Sequence, residues 1–343
     1  MNFFSKQSII FVVILFSVTQ LAAAEYDAIK SPQQIQKELD EAENDFEIAQ
    51  KMFIPWYTGP LITGSSKNTP KGHINIQPYL FLKWSYGVYD NERHYSSVAD
   101  TFTVNPLLVF QRGILDWLDI TIQPQASFKY NQGASGASFN DLGVTLGFQL
   151  YKETPYIPGV RFVYTEIFPT GSFTDLQNPL DGVGSGAFQS VLGLNFGKVL
   201  WFLPLHPMAL RLTTNVQIPT NRAKVFNVNA YGGGEGTDGS VLVGSSFNID
   251  VGYEVSLTQK WVVSLDVAYS LSGKSSFRGF TGVTSSGLPL PVGSPVSDSL
   301  SLSPALEYNV SDTGGFIGGA WFTVAGRNSS GFAALVLSYT QLF

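Results

Sequence analysis

The sequence predicts an all-β fold: a transmembrane, antiparallel, up-and-down β-barrel of about twelve strands, with a short periplasmic or lumenal helix before it. Three observations carry this. From His73 onward, apolar and polar residues alternate with period two. The long connections all fall on alternate links of the chain, with tight ones between them. No run of about 18 apolar residues follows the N-terminal leader, so no helix is available to span a bilayer.

The leader itself has the layout of a secretory signal peptide over residues 1–24. Lys6 supplies the positive region, Ile9 to Val18 the short apolar core, and Ala22, Ala23 and Ala24 the small residues before a cleavage point. The 343-residue chain has no cysteine and a formal charge of −6. An exported chain without cysteine needs a device other than disulfides to hold its fold. The absence of a basic excess argues against nucleic acid as a partner.

Residues 25–72 form a separate section. Ser31, Pro32 and Gln34 supply an N-cap, a first-turn proline and the third-position glutamine of a capping box. Ile35, Leu39, Ala42, Phe46 and Ala49 then recur at helical spacing, which predicts one amphipathic, acidic helix from Pro32 to about Met52. Residues 55–72 are rich in Pro, Gly, Ser, Thr and Asn and are expected to be an irregular linker.

The barrel is expected over 73–343, with strands near 73–90, 99–113, 117–131, 138–152, 159–170, 187–203, 208–220, 241–257, 261–273, 298–311, 314–327 and 330–343. The pattern is plainest in the ninth. Trp261, Val263, Leu265, Val267, Tyr269 and Leu271 share one face, and Val262, Ser264, Asp266, Ala268, Ser270 and Ser272 the other. The second, fifth and sixth segments carry apolar residues on both faces for part of their length. Charge is therefore predicted to be tolerated at Ser264 and costly at Leu265.

Aromatic residues near strand ends suit interfacial girdles: Trp84, Tyr86, Trp117, Tyr130, Tyr151, Trp201, Phe202, Trp261 and Tyr339. Trp321 breaks the pattern, because alternation places it in the lumen. Closure follows from the solvent. In lipid every backbone N–H and C=O must be paired, and a sheet achieves this only as a barrel. A soluble sandwich would need a second sheet to cover each apolar face.

The last strand, with Leu335, Leu337, Tyr339 and Phe343 at every second position, resembles the C-terminal targeting strand of bacterial outer-membrane proteins. It departs from that pattern at Gln341, where an apolar or aromatic residue is usual. The resemblance implies recognition by the barrel-assembly machinery, residence in the bacterial outer membrane, and contact with its lipid and lipopolysaccharide. Gly59 to Leu82, with Pro70-Lys71-Gly72-His73 before an alternating strand, resembles the approach to the first strand in the MetA-pathway of phenol degradation family. That family is regarded as outer-membrane transporters.

No enzyme signature stands out. His73, His94 and His206 are the only histidines and fall at a strand start, in an external loop and in a turn. No His/Cys/Asp/Glu cluster has metal-ligand spacing. The glycine-rich stretches match neither a calcium loop nor a phosphate loop. No catalytic residue, metal or cofactor is expected. Alternation turns Lys83, Asp119, Lys129, Arg211, Asp250, Glu254, Asp266 and Glu307 inward, and these are the candidate pore-lining residues.

The sequence thus predicts a channel for passive uptake or efflux of small-molecule solutes, with hydrophobic or aromatic ones favoured by the loop aromatics. The alternatives are a sealed structural or adhesive barrel acting through its long loops, and an outer-membrane lipid-modifying enzyme. Barrels of about 8 strands are filled by side chains and those of 16–18 hold a water channel, so twelve implies a narrow lumen.

Overall fold

The computed structural model describes residues 31–52, 59–200, 206–283 and 287–343. The leader, Trp201 and Phe202 lie outside the described residues. Helix α1 spans Pro32–Met52. Its capping box is formed in both directions: the Gln34 amide donates to Ser31 Oγ at 3.2 Å, and the Ser31 amide to Gln34 Oε1 at 2.9 Å. Ile35 and Ile48 are exposed on it.

Residues 74–342 form a closed barrel of twelve antiparallel strands. In chain order these are β1 (Ile74–Tyr89), β2 (Tyr95–Leu115), β3 and β4 in line (Leu118–Gln123, Ala126–Asn131), and β5 and β6 in line (Ala134–Phe139, Leu142–Tyr151). Next come β7 (Gly159–Phe168), β8 (Gln189–Leu200) and β9 (Met208–Pro219). Short strands β10 (Ala223–Phe226) and β11 (Asp238–Leu242) precede β12 (Ser246–Ser256) and β13 (Trp261–Ser272). After β14 (Ser276–Phe280), the wall is completed by β15 (Ser297–Ser311), β16 (Gly314–Arg327) and β17 (Ser329–Leu342). Strands β10, β11 and β14 make a separate three-stranded sheet in the long connections.

Closure is between β1 and β17, from Asn75 opposite Leu342 to Tyr89 opposite Ser329. At the rim, the amides of Ile74 and Phe343 each donate to the other's carbonyl, at 3.1 and 2.8 Å. The wall therefore has no free edge.

Each predicted strand is present, including the three with apolar residues on both faces. Three run differently from the even segments the alternation suggested, the fourth beginning at Ala134 and breaking at Asn140 and Asp141 between β5 and β6. The third breaks at Pro124, which has no N–H to give, although its carbonyl still accepts from Leu108 at 3.0 Å. The eighth is not one strand over 241–257: Val241 and Leu242 belong to β11, and the wall resumes at Ser246.

The burial pattern is inverted relative to a water-soluble protein. Leu80, Trp84, Leu108, Leu210, Tyr253, Leu265, Leu306 and Leu337 are exposed on the outside. Asn75, Gln77, Asp119, Thr121, Asn195, Asp266 and Ser303 are buried inside. A polar interior under an apolar exterior is stable only where the surroundings are apolar too. Aromatic pairs mark the rims, among them Trp117 with Phe148 and Trp261 with Tyr308, whose ring centres are 6.1 and 4.6 Å apart.

Candidate functional site

The lumen is occupied by the chain itself. Residues 59–72, expected to be a linker, run through the barrel as an extended strap held almost wholly by side chains of the wall. Thr69 N–H donates to Asp119 Oδ2 at 2.9 Å. Asn68 N–H donates to Gln149 Oε1 at 2.9 Å, and Gln149 Nε2 returns a bond to the Ser66 carbonyl at 2.8 Å. Asn195 Nδ2 donates to the Ser65 carbonyl at 3.0 Å, and Gly64 N–H to Thr213 Oγ1 at 2.9 Å. The amides of Ile62 and Thr63 and the Thr63 hydroxyl all donate to Asp266, at 3.2, 3.1 and 2.6 Å.

Along most of its length the strap cannot pair with the wall's backbone, which is already paired strand to strand; at its end the Gly72 amide does donate to the Gly113 carbonyl, at 3.0 Å. Its own N–H and C=O groups need side-chain partners. The strap's composition supplies the rest: small residues let it lie close to the wall, and its Ser, Thr and Asn side chains can donate or accept. The wall makes room with glycine. A Cβ at Gly147 would collide with the Arg161 guanidinium and the Asp119 carboxylate, and one at Gly252 would meet Pro60 and Thr63.

Two ion pairs lie beside the strap. Arg161 NH2 is 2.6 Å from Asp119 Oδ1, and Arg161 Nε donates to Asn68 Oδ1 at 2.7 Å. Arg211 forks onto Glu254, with Nε to Oε2 at 2.7 Å and NH2 to Oε1 at 3.2 Å. Glu254 and Asp266 are essentially fully buried, as is Glu307 on β15. At the end with short turns, Glu153 lies 3.8 Å from Lys67 and 3.9 Å from Lys198 and accepts from the Val199 amide. Burial pushes the Glu153 carboxyl above its ordinary range and pulls Lys67 down to about 8, the Lys67–Glu153 attraction opposing both shifts only in part.

At the opposite end, the 169–188 connection folds toward the lumen. Lys129 Nζ donates to the Gly182 carbonyl at 2.8 Å, and Asp181 accepts from the Ala137 amide at 2.9 Å. Asp141 fastens the same loop through the amides of Gly171 and Ser185. Asp298 receives a forked contact from Arg93 at 2.6 and 2.8 Å and lies 3.1 Å from Arg327, joining the first connection to the β15–β16 wall. A cavity of about 220 Å³ remains between the strap and the wall, lined by Leu61, Gln77, Tyr79, Gln111, Thr121 and Arg161 among others.

The eight inward candidates thus fall into distinct settings. Asp119 and Asp266 hold the strap, Arg211 and Glu254 pair, and Glu307 and Asp250 are buried on the same side of the wall. Lys129 holds a loop, and Lys83 sits 4.3 Å over the Phe332 ring. Arg161, Gln149 and Asn195 were missed. Arg161 belongs to a segment with apolar residues on both faces, so its inward position had no clear signature. Trp321 points inward as alternation required, and its Nε1–H donates to Ser301 Oγ at 2.9 Å. Gln341, on the outward face of β17, accepts from the Tyr339 hydroxyl at 2.6 Å and donates to Thr313 Oγ1 at 3.0 Å, so the turn before β16 satisfies its amide.

Among solved structures, this architecture is similar to an outer membrane channel from Pseudomonas putida F1, with a TM-score of 0.64 and 13% identity over 82% of this chain and 100% of that one. The chain has the fold of an outer-membrane β-barrel. This barrel also aligns with the transport unit of the autotransporter AIDA-I from Escherichia coli, at a TM-score of 0.41 and 10% identity over 88% of this chain and 98% of that one. A mutant of the TodX monoaromatic hydrocarbon channel aligns at 0.40 and 11% identity, over 80% of this chain and 91% of that one. No family model matches the chain, and no curated protein matches it.

Proposed function

We propose that the protein is a passive outer-membrane channel for small solutes, with the strap of residues 59–72 as the element that sets its bore. The carrying observation is that the lumen is largely polar, and that its filling is bonded to the wall by side-chain hydrogen bonds, with one apolar contact where Leu61 and Ile62 pack against Ala305, Ile317, Ala334 and Val336. The cavity beside the strap is of a size for small molecules. Similarity to an outer membrane channel supports the same reading. The narrower resemblance to the MetA-pathway family, and the preference for hydrophobic or aromatic solutes, belong to this proposal. So does the role of Leu335, Leu337, Tyr339 and Phe343 as the strand offered to the barrel-assembly machinery, in a membrane of lipid and lipopolysaccharide.

The test is conductance in planar bilayers. The full chain is expected to give small, discrete steps, and a variant lacking residues 59–69 larger ones. A barrel that is folded by its heat-modifiable mobility yet passes no current in either form would end the channel reading.

A further inference from the structure

Barrel lumens are normally polar, yet one part of this one is aromatic. Phe81 on β1, Trp321 on β16 and Phe332 on β17 all face inward. The Phe81 and Trp321 ring centres are 6.5 Å apart at 66°, and those of Trp321 and Phe332 are 4.9 Å apart at 80°. These are edge-to-face contacts that fix a wall of rings, the bond from Trp321 to Ser301 holds the indole in place, and Phe81 and Trp321 pack in part against the apolar cluster that includes the strap's Leu61 and Ile62.

Beside these rings stands Lys83. Its Nζ lies 4.3 Å over Phe332. Among the described residues no carboxylate forms an ion pair with it, although the lumen holds several buried acids. The strand register explains the setting. Trp321, Ala334, Lys83, Thr103 and Lys129 follow one another across five adjacent strands. Small residues therefore flank Lys83 on both sides. Lys129 stands two strand spacings away, about 10 Å, and its neighbour Asp181 is already engaged by the Ala137 amide.

An ammonium over one ring, two residues along β1 from a second and in the same row as a third, is a recognition pattern. The rings accept an aromatic face or edge, and a partly desolvated ammonium favours a carboxylate over a neutral group. We propose that Phe81, Trp321, Phe332 and Lys83 form a lumenal subsite for small aromatic carboxylates, in which the ring lies against Trp321 and Phe81 and the carboxylate meets Lys83. Lys129 adds a second positive charge along the same row. This rests on the channel reading in that the ligand must enter the lumen.

Benzoate is the probe, measured by calorimetry on the full chain in detergent, with benzyl alcohol and cyclohexanecarboxylate alongside. The wild type is expected to bind benzoate at least tenfold more tightly than either. Lys83→Gln should weaken benzoate at least tenfold and leave benzyl alcohol unchanged, Lys83→Arg should restore much of the loss, and Trp321→Leu should weaken both aromatic ligands. The subsite is overturned if benzoate binds the wild type no better than benzyl alcohol, a comparison that needs no variant to fold. It is also overturned if folded Lys83→Gln binds benzoate as the wild type does. Bilayer conductance without benzoate preference would remove the subsite and leave the channel, and benzoate binding without conductance would do the reverse.

Discussion

Thr63 and Asp266 meet inside the barrel through two hydrogen bonds, hydroxyl and amide of the first both donating to Oδ1 of the second at 2.6 and 3.1 Å. Ile62 adds a third donor on Oδ2. One carboxylate thus serves three groups of the strap. Asp266→Ala strands all three and should cost about 2–4 kcal/mol. Asp266→Asn, which keeps one acceptor, should cost less. Urea unfolding in lipid vesicles measures both, and equal midpoints for wild type and Asp266→Ala would mean the strap is not held there.

Arg161 and Asp119 are both buried, so either without the other is an uncompensated charge. Arg161→Met should destabilise the barrel by about 3–5 kcal/mol. Adding Asp119→Leu should restore part of this, giving a coupling energy of about 1 kcal/mol or more in a double-mutant cycle. Additive losses would show that Asp119 is stabilised by Thr69 and Gln111 alone.

The ninth strand tests the two faces. Leu265 is exposed on the outside, and Leu265→Arg should cost about 2–4 kcal/mol if it lies at mid-bilayer. The burial of Ser264 argues against the expected tolerance of charge there. Ser264 is only 1% exposed and sits opposite Glu254 in the register, so a carboxylate there has neither water nor a counter-ion. Ser264→Asp should cost about 2 kcal/mol or more, whereas Ser264→Ala should be nearly neutral, because its Oγ has no hydrogen-bond partner among the described residues. Refolding yields into vesicles rank the three.

Lys67 makes stability depend on pH. Its folded pKa, about 8, lies below the ordinary lysine value of 10.5. Below pH 8 folded and unfolded chains both keep the proton, and the burial cost is fully present. Between about 8 and 10.5 the unfolded chain holds the proton that the folded one has shed, so this group's contribution to stability rises with pH. Lys67→Met should remove that rise. Unfolding midpoints at pH 7, 8, 9 and 10 decide it, and parallel curves for wild type and variant would refute the assignment.

The period-two pattern made the wall legible, because lipid outside and polar contents inside force every second residue to a side. Trp321 shows how firmly: its inward position looked anomalous in the sequence and is real, and neighbouring rings and Ser301 complete it. What the pattern could not reveal was the content of the lumen. The strap has no period, and residues such as Thr63, Ser65, Asn68 and Thr69 have the composition of an ordinary turn-rich linker. The same small hydroxyl and amide side chains suit a segment that must bond to wall side chains. Arg161 was hidden for a related reason, since its strand carries apolar residues on both faces.

The strap's contacts follow an order along the chain. Thr69 reaches Asp119, 50 residues ahead; Asn68 reaches Gln149, 81 ahead; Ser65 meets Asn195 at 130, Gly64 meets Thr213 at 149 and Thr63 meets Asp266 at 203. Stepping back along the strap from Thr69 to Thr63 means stepping forward along the wall from β3 to β13. The strap therefore crosses the wall in chain order, meeting β3, β6, β8, β9 and β13 in turn. The strap is in this sense a second copy of the wall's strand order, written in reverse along seven residues.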